Sequence, residues 1–153
     1  MSVLLKLVYD TNLLRQRYVE IHENLFRLSL GRLVRRSGAS AGPDYGAQAE
    51  RLGRLIQDLQ SVRDQLGQLD EGKLSHRTGR ELRNTLADYT VALEDSIRKL
   101  QFICERNLKQ QQGVAAFKDY SLGDYRLDRI AYDDAIQHHK RLGLRLNQLL
   151  SNF

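Results

Sequence analysis

The most regular pattern in the chain is an apolar stripe between residues 52 and 69. Its members recur at alternating spacings of three and four residues: Leu52, Leu55, Leu59, Val62, Leu66 and Leu69. Because an α-helix completes a turn about every 3.6 residues, this spacing puts all of these side chains on one helical face. The stripe therefore predicts a long helix that buries one narrow apolar face.

Three further stretches carry stripes of the same kind, and each of them admits polar residues. The first consists of Leu4, Leu7, Thr11, Leu14, Tyr18, Ile21, Leu25 and Leu28. The second consists of Leu82, Leu86, Tyr89, Leu93, Ser96, Leu100, Ile103 and Asn107. The third consists of Tyr125, Asp128, Tyr132, Ala135, His139, Leu142, Leu146, Leu149 and Phe153. Leu127 and Ile130 lie off this last stripe, which leaves open how the first half of that helix faces.

Turn and capping residues set the expected ends of the helices. Residues 37–43 are small and polar and predict a flexible loop. Asp44 can cap the second helix, and Gly72 can end it. A hydroxyl residue followed three positions later by an acidic one predicts capping boxes at 78–81 and 121–124, although the third helix could also start near residue 75. Helices are therefore expected at about 3–36, 44–70, 78–112 and 122–152.

Four long helices joined by short connections predict an all-α fold. The expected architecture is an antiparallel up-down-up-down four-helix bundle that forms a single domain over residues 1–153. An alternative is a pair of helical hairpins that completes the bundle in a homodimer, since a heptad stripe does not specify which chain supplies its partner. The length suits one domain, and a single proline leaves long helices unbroken.

Composition and charge narrow the class of protein. Cys104 is the only cysteine, so no disulfide can form within the chain. Its thiol is interpreted either as a small buried apolar group or as a reactive group. No stretch approaches the roughly 18 apolar residues of a membrane span, and residues 3–8 lack the cleavage site of a signal peptide. We therefore expect a cytoplasmic protein without a membrane partner, whose net charge of +5 leaves an acidic partner or nucleic acid open.

Metal-binding and catalytic patterns are weak. A ferritin-like di-iron site uses Glu-x-x-His pairs, and the sequence contains none. Asp134 with His138, and His22 with its acidic neighbours Glu20 and Glu23, offer at most two ligands each. Glycines at 31, 53, 67 and 143 lie singly within predicted helices and indicate close helix approach. No metal, cofactor or catalytic residue is therefore expected.

Polar residues on the apolar stripes form a candidate layer inside the bundle. Counting along the helices from matched ends places Tyr18, Ser96 and His139 at about the same height. Buried polar side chains need hydrogen-bond partners, which these three could supply to one another. The hypothesis is that the layer fixes helix register, as a buried polar residue does in coiled coils. The alternative is catalytic, with His139 as a general base.

Basic residues cluster at both ends of the expected bundle. One basic rim would contain Arg77, Arg80, Arg83, Lys140, Arg141 and Arg145. A second would contain Arg32, Arg35, Arg36, Arg106 and Lys109. The first rim places positive charge at the start of a helix, where it opposes the helix dipole, so phosphates or an acidic protein are candidate ligands. Interleaved acidic residues instead favour an ordinary solvated surface.

The function expected from these patterns is a non-enzymatic interaction module that holds a helix of a partner protein or self-associates. An adaptor, a chaperone-like protein and an assembly factor all fit this description. Apolar residues off the stripes are candidates for the interacting face or for the flank of the core: Phe26, Leu30, Leu33, Ile56 and Phe102. The alternative function is anion or nucleic-acid binding through the arginine-rich bundle ends.

Overall fold

The computed structural model describes residues 2–34, 43–69, 74 and 76–153, with the helical backbone alone for residues 28–34. The described residues are all-helical and contain no strand. Four long helices follow one another along the chain: α1 (Val3–Val34), α2 (Tyr45–Gly67), α3 (Arg77–Gln111) and α4 (Asp124–Ser151). Two short 3-10 helices, Ala115–Phe117 and Tyr120–Leu122, connect α3 to α4. None of the described helices is long and apolar enough to cross a lipid bilayer.

The predicted cap of α2 is confirmed, and its predicted end is wrong. The Asp44 carboxylate accepts a hydrogen bond of 3.0 Å from the amide of Ala47. The helix ends at Gly67, short of the expected residue 70. The predicted loop at 37–43 lies outside the described residues except for its last position, and the predicted exit at Gly72 lies outside them entirely.

Both predicted capping boxes are wrong. The helix α3 begins at Arg77 with His76 before it, so Thr78 already has helical backbone and cannot act as the cap. The helix α4 begins at Asp124 with Gly123 before it. The Ser121 hydroxyl belongs to the preceding 3-10 helix and accepts a hydrogen bond of 2.9 Å from Gln110, so it is not available to cap α4.

The apolar stripes form the core, with α3 at its centre. The described members of the α1 stripe and the stripe of α2 up to Leu66 are buried. On the stripe of α4, Phe153 is exposed and Asp128 is half-buried. The helix α3 packs against all three other long helices, whereas the backbones of α1 and α4 are farther apart than those of the other neighbouring pairs described. This separation leaves open space between α1 and α4.

Two of the interior glycines mark close contacts between helices. A Cβ atom at Gly143 would lie 3.2 Å from the Tyr89 ring, and one at Gly53 would lie 3.1 Å from the Gln101 amide nitrogen. At Gly67 a Cβ would meet nothing within 4 Å. Close approach therefore holds for α3 with α4 and for α2 with α3, and it gives no account of Gly67.

A buried carboxylate links α2 to α3. Glu94 accepts hydrogen bonds from Gln60 and Arg63 of α2 and from Arg98 on its own helix. Burial opposes ionisation of this side chain, but the two arginines outweigh burial and hold the pKa of Glu94 below its ordinary value. The ionised cluster is therefore an internal contact between helices.

Candidate functional site: a groove between α1 and α4

The structure brings Tyr18, Ser96 and His139 together from α1, α3 and α4. All three side chains are buried. The Ser96 hydroxyl oxygen lies 2.7 Å from Nδ1 of His139, and the Tyr18 ring meets the His139 ring edge-on with 6.0 Å between centroids. These residues form one part of a polar cluster that lies between the helices.

Tyr132 extends this cluster and was not among the predicted site residues. Its hydroxyl lies 2.5 Å from the Tyr18 hydroxyl and 2.6 Å from Nδ1 of His22. His22 lies off the predicted stripe of α1, and it is nevertheless half-buried. The only sequence signal for Tyr132 was a hydroxyl on the stripe of α4. We call Tyr18, His22, Ser96, Tyr132 and His139 the polar cluster.

The ionisable groups of the polar cluster are held in their neutral forms near pH 7. Burial raises the pKa of Tyr18 to about 12 and that of Tyr132 still higher. Burial, with help from the charges of Arg15 and Lys140, lowers the pKa of His139 to about 4. Burial likewise lowers the pKa of His22, assisted by Arg129. The cluster is therefore a set of neutral hydrogen-bonding groups at neutral pH.

A groove of about 620 Å³ opens next to the polar cluster, between the first half of α1 and the second half of α4. Its floor includes Tyr89 and His139, and Tyr9 and Leu144 stand at its rim with most of their surface exposed. The remaining lining residues are Leu5, Val8, Thr11, Asn12, Arg15, Lys140, Gly143, Leu146, Asn147 and Leu150. The lining is mainly apolar, with its charged groups at the end near His139.

Arg15 and Lys140 bring two positive charges to the groove from opposite walls. Neither side chain pairs with a carboxylate among the described residues. Other cations of the same two helices do have acidic partners: Lys6 pairs with Asp10, and Arg129 pairs with Asp133. The groove therefore combines apolar walls with uncompensated positive charge.

Among the described residues, the groups that could serve catalysis or metal binding are buried or too few. Ser96 is fully buried, so its contact with His139 gives a substrate no access to the serine hydroxyl. Within the part of the chain that is described, no group of three or more His, Cys, Asp or Glu side chains could hold a metal. Burial raises the pKa of the Cys104 thiol to about 12, so this thiol stays protonated and unreactive. The Ser96 hydroxyl and the Cys104 thiol are therefore not accessible nucleophiles.

Residues of the first basic rim do not face one direction. Arg145 lines a small cavity with the acidic side chains of Glu81 and Asp88, whereas Lys140 faces the groove. Arg77 pairs with Glu81, and the Arg83 side chain donates to the Leu66 carbonyl oxygen. The remaining members, Arg80 and Arg141, are exposed.

The second basic rim is described only in part. Arg35 and Arg36 lie outside the described residues, and Arg32 is described by its backbone alone. Arg106 pairs with Asp128 at 3.1 Å and lies 4.1 Å from the centroid of the Phe102 ring. Lys109 lies over the Phe117 ring. Arg106 therefore links α3 to α4, and Lys109 contacts the connection between these helices.

Two of the candidate apolar residues for an interacting face are accounted for within the fold. Ile56 is buried in the core, which agrees with the alternative that it flanks the core. Phe26 is half-buried beneath the Arg129 guanidinium. Phe102 remains exposed on one side, and the side chains of Leu30 and Leu33 are not described. The groove residues Tyr9 and Leu144 were not singled out by their sequence pattern.

Comparisons with known proteins add no assignment. The chain was compared with protein-family models, with curated proteins and with solved structures, and nothing matches it. A functional inference therefore rests on the groove and on the polar cluster next to it.

Proposed function

We propose that this chain is a non-enzymatic protein-protein interaction module, in which the groove between α1 and α4 holds an apolar helix of a partner protein. The observation that carries the proposal is a mainly apolar groove of about 620 Å³ with Tyr9 and Leu144 exposed at its rim. Contiguous exposed apolar surface of this kind marks binding sites on proteins. Insertion of a helix between two helices buries such a surface by the same packing that forms a bundle core.

The proposal includes the up-down-up-down four-helix bundle as the architecture of a single domain. On α3 and α4, Arg106 contacts Asp128, while Tyr89 contacts Gly143. Rising residue numbers on one helix meet falling numbers on the other, as in an antiparallel pair. The contact of Gln101 with the Ala49 carbonyl, together with that of Arg83 with Leu66, gives the same order for α2 and α3.

The pair of α1 and α4 completes the proposed bundle. Tyr18 contacts Tyr132, and residues nearer the start of α1 share the groove with residues nearer the end of α4. Among the described residues, hydrogen bonds of the polar cluster join these two helices. We propose that the cluster fixes their register and defines the closed end of the groove.

The partner is proposed to be a different protein in the cytoplasm, and not a second copy of this chain. The cytoplasmic location was expected because the sequence has no apolar stretch of membrane-spanning length, and its single cysteine gives no sign of an oxidising compartment. The arginine-rich ends are not proposed as a nucleic-acid surface, because Arg77 and Arg106 pair with acidic residues of the same chain. Self-association through the groove remains an outcome that the experiments below distinguish.

Replacing Leu144 with glutamine is expected to weaken helix binding by about tenfold, which corresponds to ~1.4 kcal/mol. The substitution removes exposed apolar area from the rim, and leucine and glutamine have similar helix propensities. The measurement uses displayed helical peptides of about 15 residues, with leucine at positions i, i+3, i+4 and i+7 and the other positions randomised. Peptides selected on the wild-type chain are titrated against each variant.

The matched control is Leu127→Gln. Leu127 is 67% exposed and Leu144 is 66% exposed, and both lie on α4, but only Leu144 lines the groove. Binding to the Leu127→Gln variant should stay within about twofold of the wild-type value, since surface substitutions away from a site have small effects. If both substitutions weaken binding equally, or if neither does, the groove is not the site and the proposed function fails.

A further inference from the structure

We propose that the partner helix carries an acidic side chain at one end of its apolar stripe, which binds between Arg15 and Lys140. This inference rests on the proposed function and specifies the chemistry of the partner. Its basis is the juxtaposition of two cations, one from each wall, with the apolar lining of the groove.

Local sequence explains why these two cations have no carboxylate partner among the residues that the structure describes. Side chains three or four positions away on a helix are the ones that can form an ion pair. The neighbours of Arg15 at these distances are Thr11, Asn12, Tyr18 and Val19. The neighbours of Lys140 are Ile136, Gln137, Gly143 and Leu144. No acidic residue lies at any of these positions, in contrast to Lys6 and Arg129 on the same helices.

The positive charges of Arg15 and Lys140 both act on the part of the groove around His139. His139 lies in the floor, and the positive charges of Arg15 and Lys140 both disfavour its protonation. Positive charges that share an apolar surface repel each other, and an anion placed between them relieves that repulsion. A helix that excludes water from the groove would also strengthen its ion pairs with the two cations.

The position of the two cations sets the position of the acidic residue. Arg15 is the last groove residue of α1 and His139 is the first of α4, so the charges lie at the end next to the polar cluster. The opposite end is lined by Leu5 and Leu150. A complementary helix therefore has an apolar stripe facing Leu5 and Leu150 and an aspartate or glutamate at the end near His139.

The test compares two peptides that differ only at this position. A helix selected on the wild-type chain is made with glutamate and with glutamine at its acidic position, and both peptides are titrated against three proteins. The wild-type chain should bind the glutamate peptide about tenfold more tightly than the glutamine peptide, as expected for ~1.4 kcal/mol. The double variant R15Q/K140Q should bind the two peptides equally.

The control for net charge is the double variant R17Q/R126Q. These two arginines are exposed, lie on the same two helices and do not line the groove. The variant should keep the preference for the glutamate peptide, because the preference depends on the position of the charges. Loss of the preference in both double variants would mean that general attraction to a basic protein causes it, which would overturn the inference.

The remaining outcomes separate this inference from the proposed function. Equal binding of the two peptides to the wild-type chain, with binding still weakened by Leu144→Gln, would overturn the inference and leave the proposed function standing. If no helix binds but dodecanoate does, and R15Q/K140Q abolishes its binding, the occupant is a small amphipathic anion and both proposals fail. If sedimentation shows a dimer that Leu144→Gln dissociates, the occupant is a second copy, and the inference of an acidic partner fails.

Discussion

Replacing Tyr132 with phenylalanine is expected to lower the free energy of unfolding by about 2 kcal/mol, because it leaves a buried hydroxyl without its partner. The Tyr132 hydroxyl lies 2.5 Å from that of Tyr18 and 2.6 Å from Nδ1 of His22. His22 is half-buried and can bind water, whereas the Tyr18 side chain is enclosed. Replacement by alanine also removes the ring and should cost about 3–5 kcal/mol. Urea denaturation followed by circular dichroism measures both changes.

A double-mutant cycle tests whether the hydrogen bond to Tyr18 causes this loss. When both partners of a buried hydrogen bond are made apolar, no polar group remains unsatisfied, so Y18F/Y132F should cost less than the sum of the single changes. The control is Tyr9→Phe, at an exposed tyrosine of α1, which should change stability by less than about 0.5 kcal/mol. Strict additivity of the two tyrosine substitutions would contradict the proposed coupling of α1 to α4.

The free energy of unfolding is also expected to fall by about 2–3 kcal/mol as the pH drops from 6.5 to 4. Over this range His139 binds a proton in the unfolded chain but stays neutral in the folded chain. The pKa of His139 lies at about 4 in the folded chain, against an ordinary value of 6.5. Above pH 6.5 the histidine is neutral in both states, and its contribution is unchanged. Between pH 6.5 and pH 4, His139 is protonated mainly in the unfolded state, so the free energy of unfolding falls. Below pH 4, His139 is protonated in both states, and its contribution to stability is fully lost.

The variant His139→Gln should flatten the dependence of stability on pH in this window. His22 acts in the same direction, because burial also lowers its pKa, so part of the dependence should remain. The matched control is His138→Gln, at the exposed neighbouring position, which should leave the acid-induced loss intact. Urea titrations at a series of pH values between 4 and 7 provide the measurement. An unchanged slope in His139→Gln would contradict the assignment.

Much of the helical core could be predicted from the stripes because burial follows helical periodicity. The α1 and α2 stripes are buried at nearly every described position. Tyr18, Ser96 and His139, which the count along the helices placed at one height, lie in contact through His139. The capping boxes failed because a cap requires non-helical backbone, and neither Thr78 nor Ser121 occupies the residue before its helix. Spacing alone does not determine which residue has that backbone.

The groove could not be predicted, because it depends on distances between helices. The same stripe pattern would describe four helices in full contact, whereas α1 and α4 stand apart on one side of the polar cluster. The roles of Tyr132 and His22 depend on how α1 is rotated about its axis. This rotation brings His22, which lies off the α1 stripe, to the Tyr132 hydroxyl. The lack of an ion pair for Arg15 among the described residues could have been anticipated, since no acidic residue lies three or four positions away.

The location of a bound helix tests the proposed function most directly. Backbone amide resonances of the isotope-labelled chain are recorded while a selected helical peptide is added. The proposal predicts that the largest shifts cluster at residues 5–15 of α1 and 139–150 of α4, with little change along the exposed side of α2. Shifts centred instead on the arginine-rich ends, around Arg77 or Arg106, would contradict the assignment of the groove as the binding site.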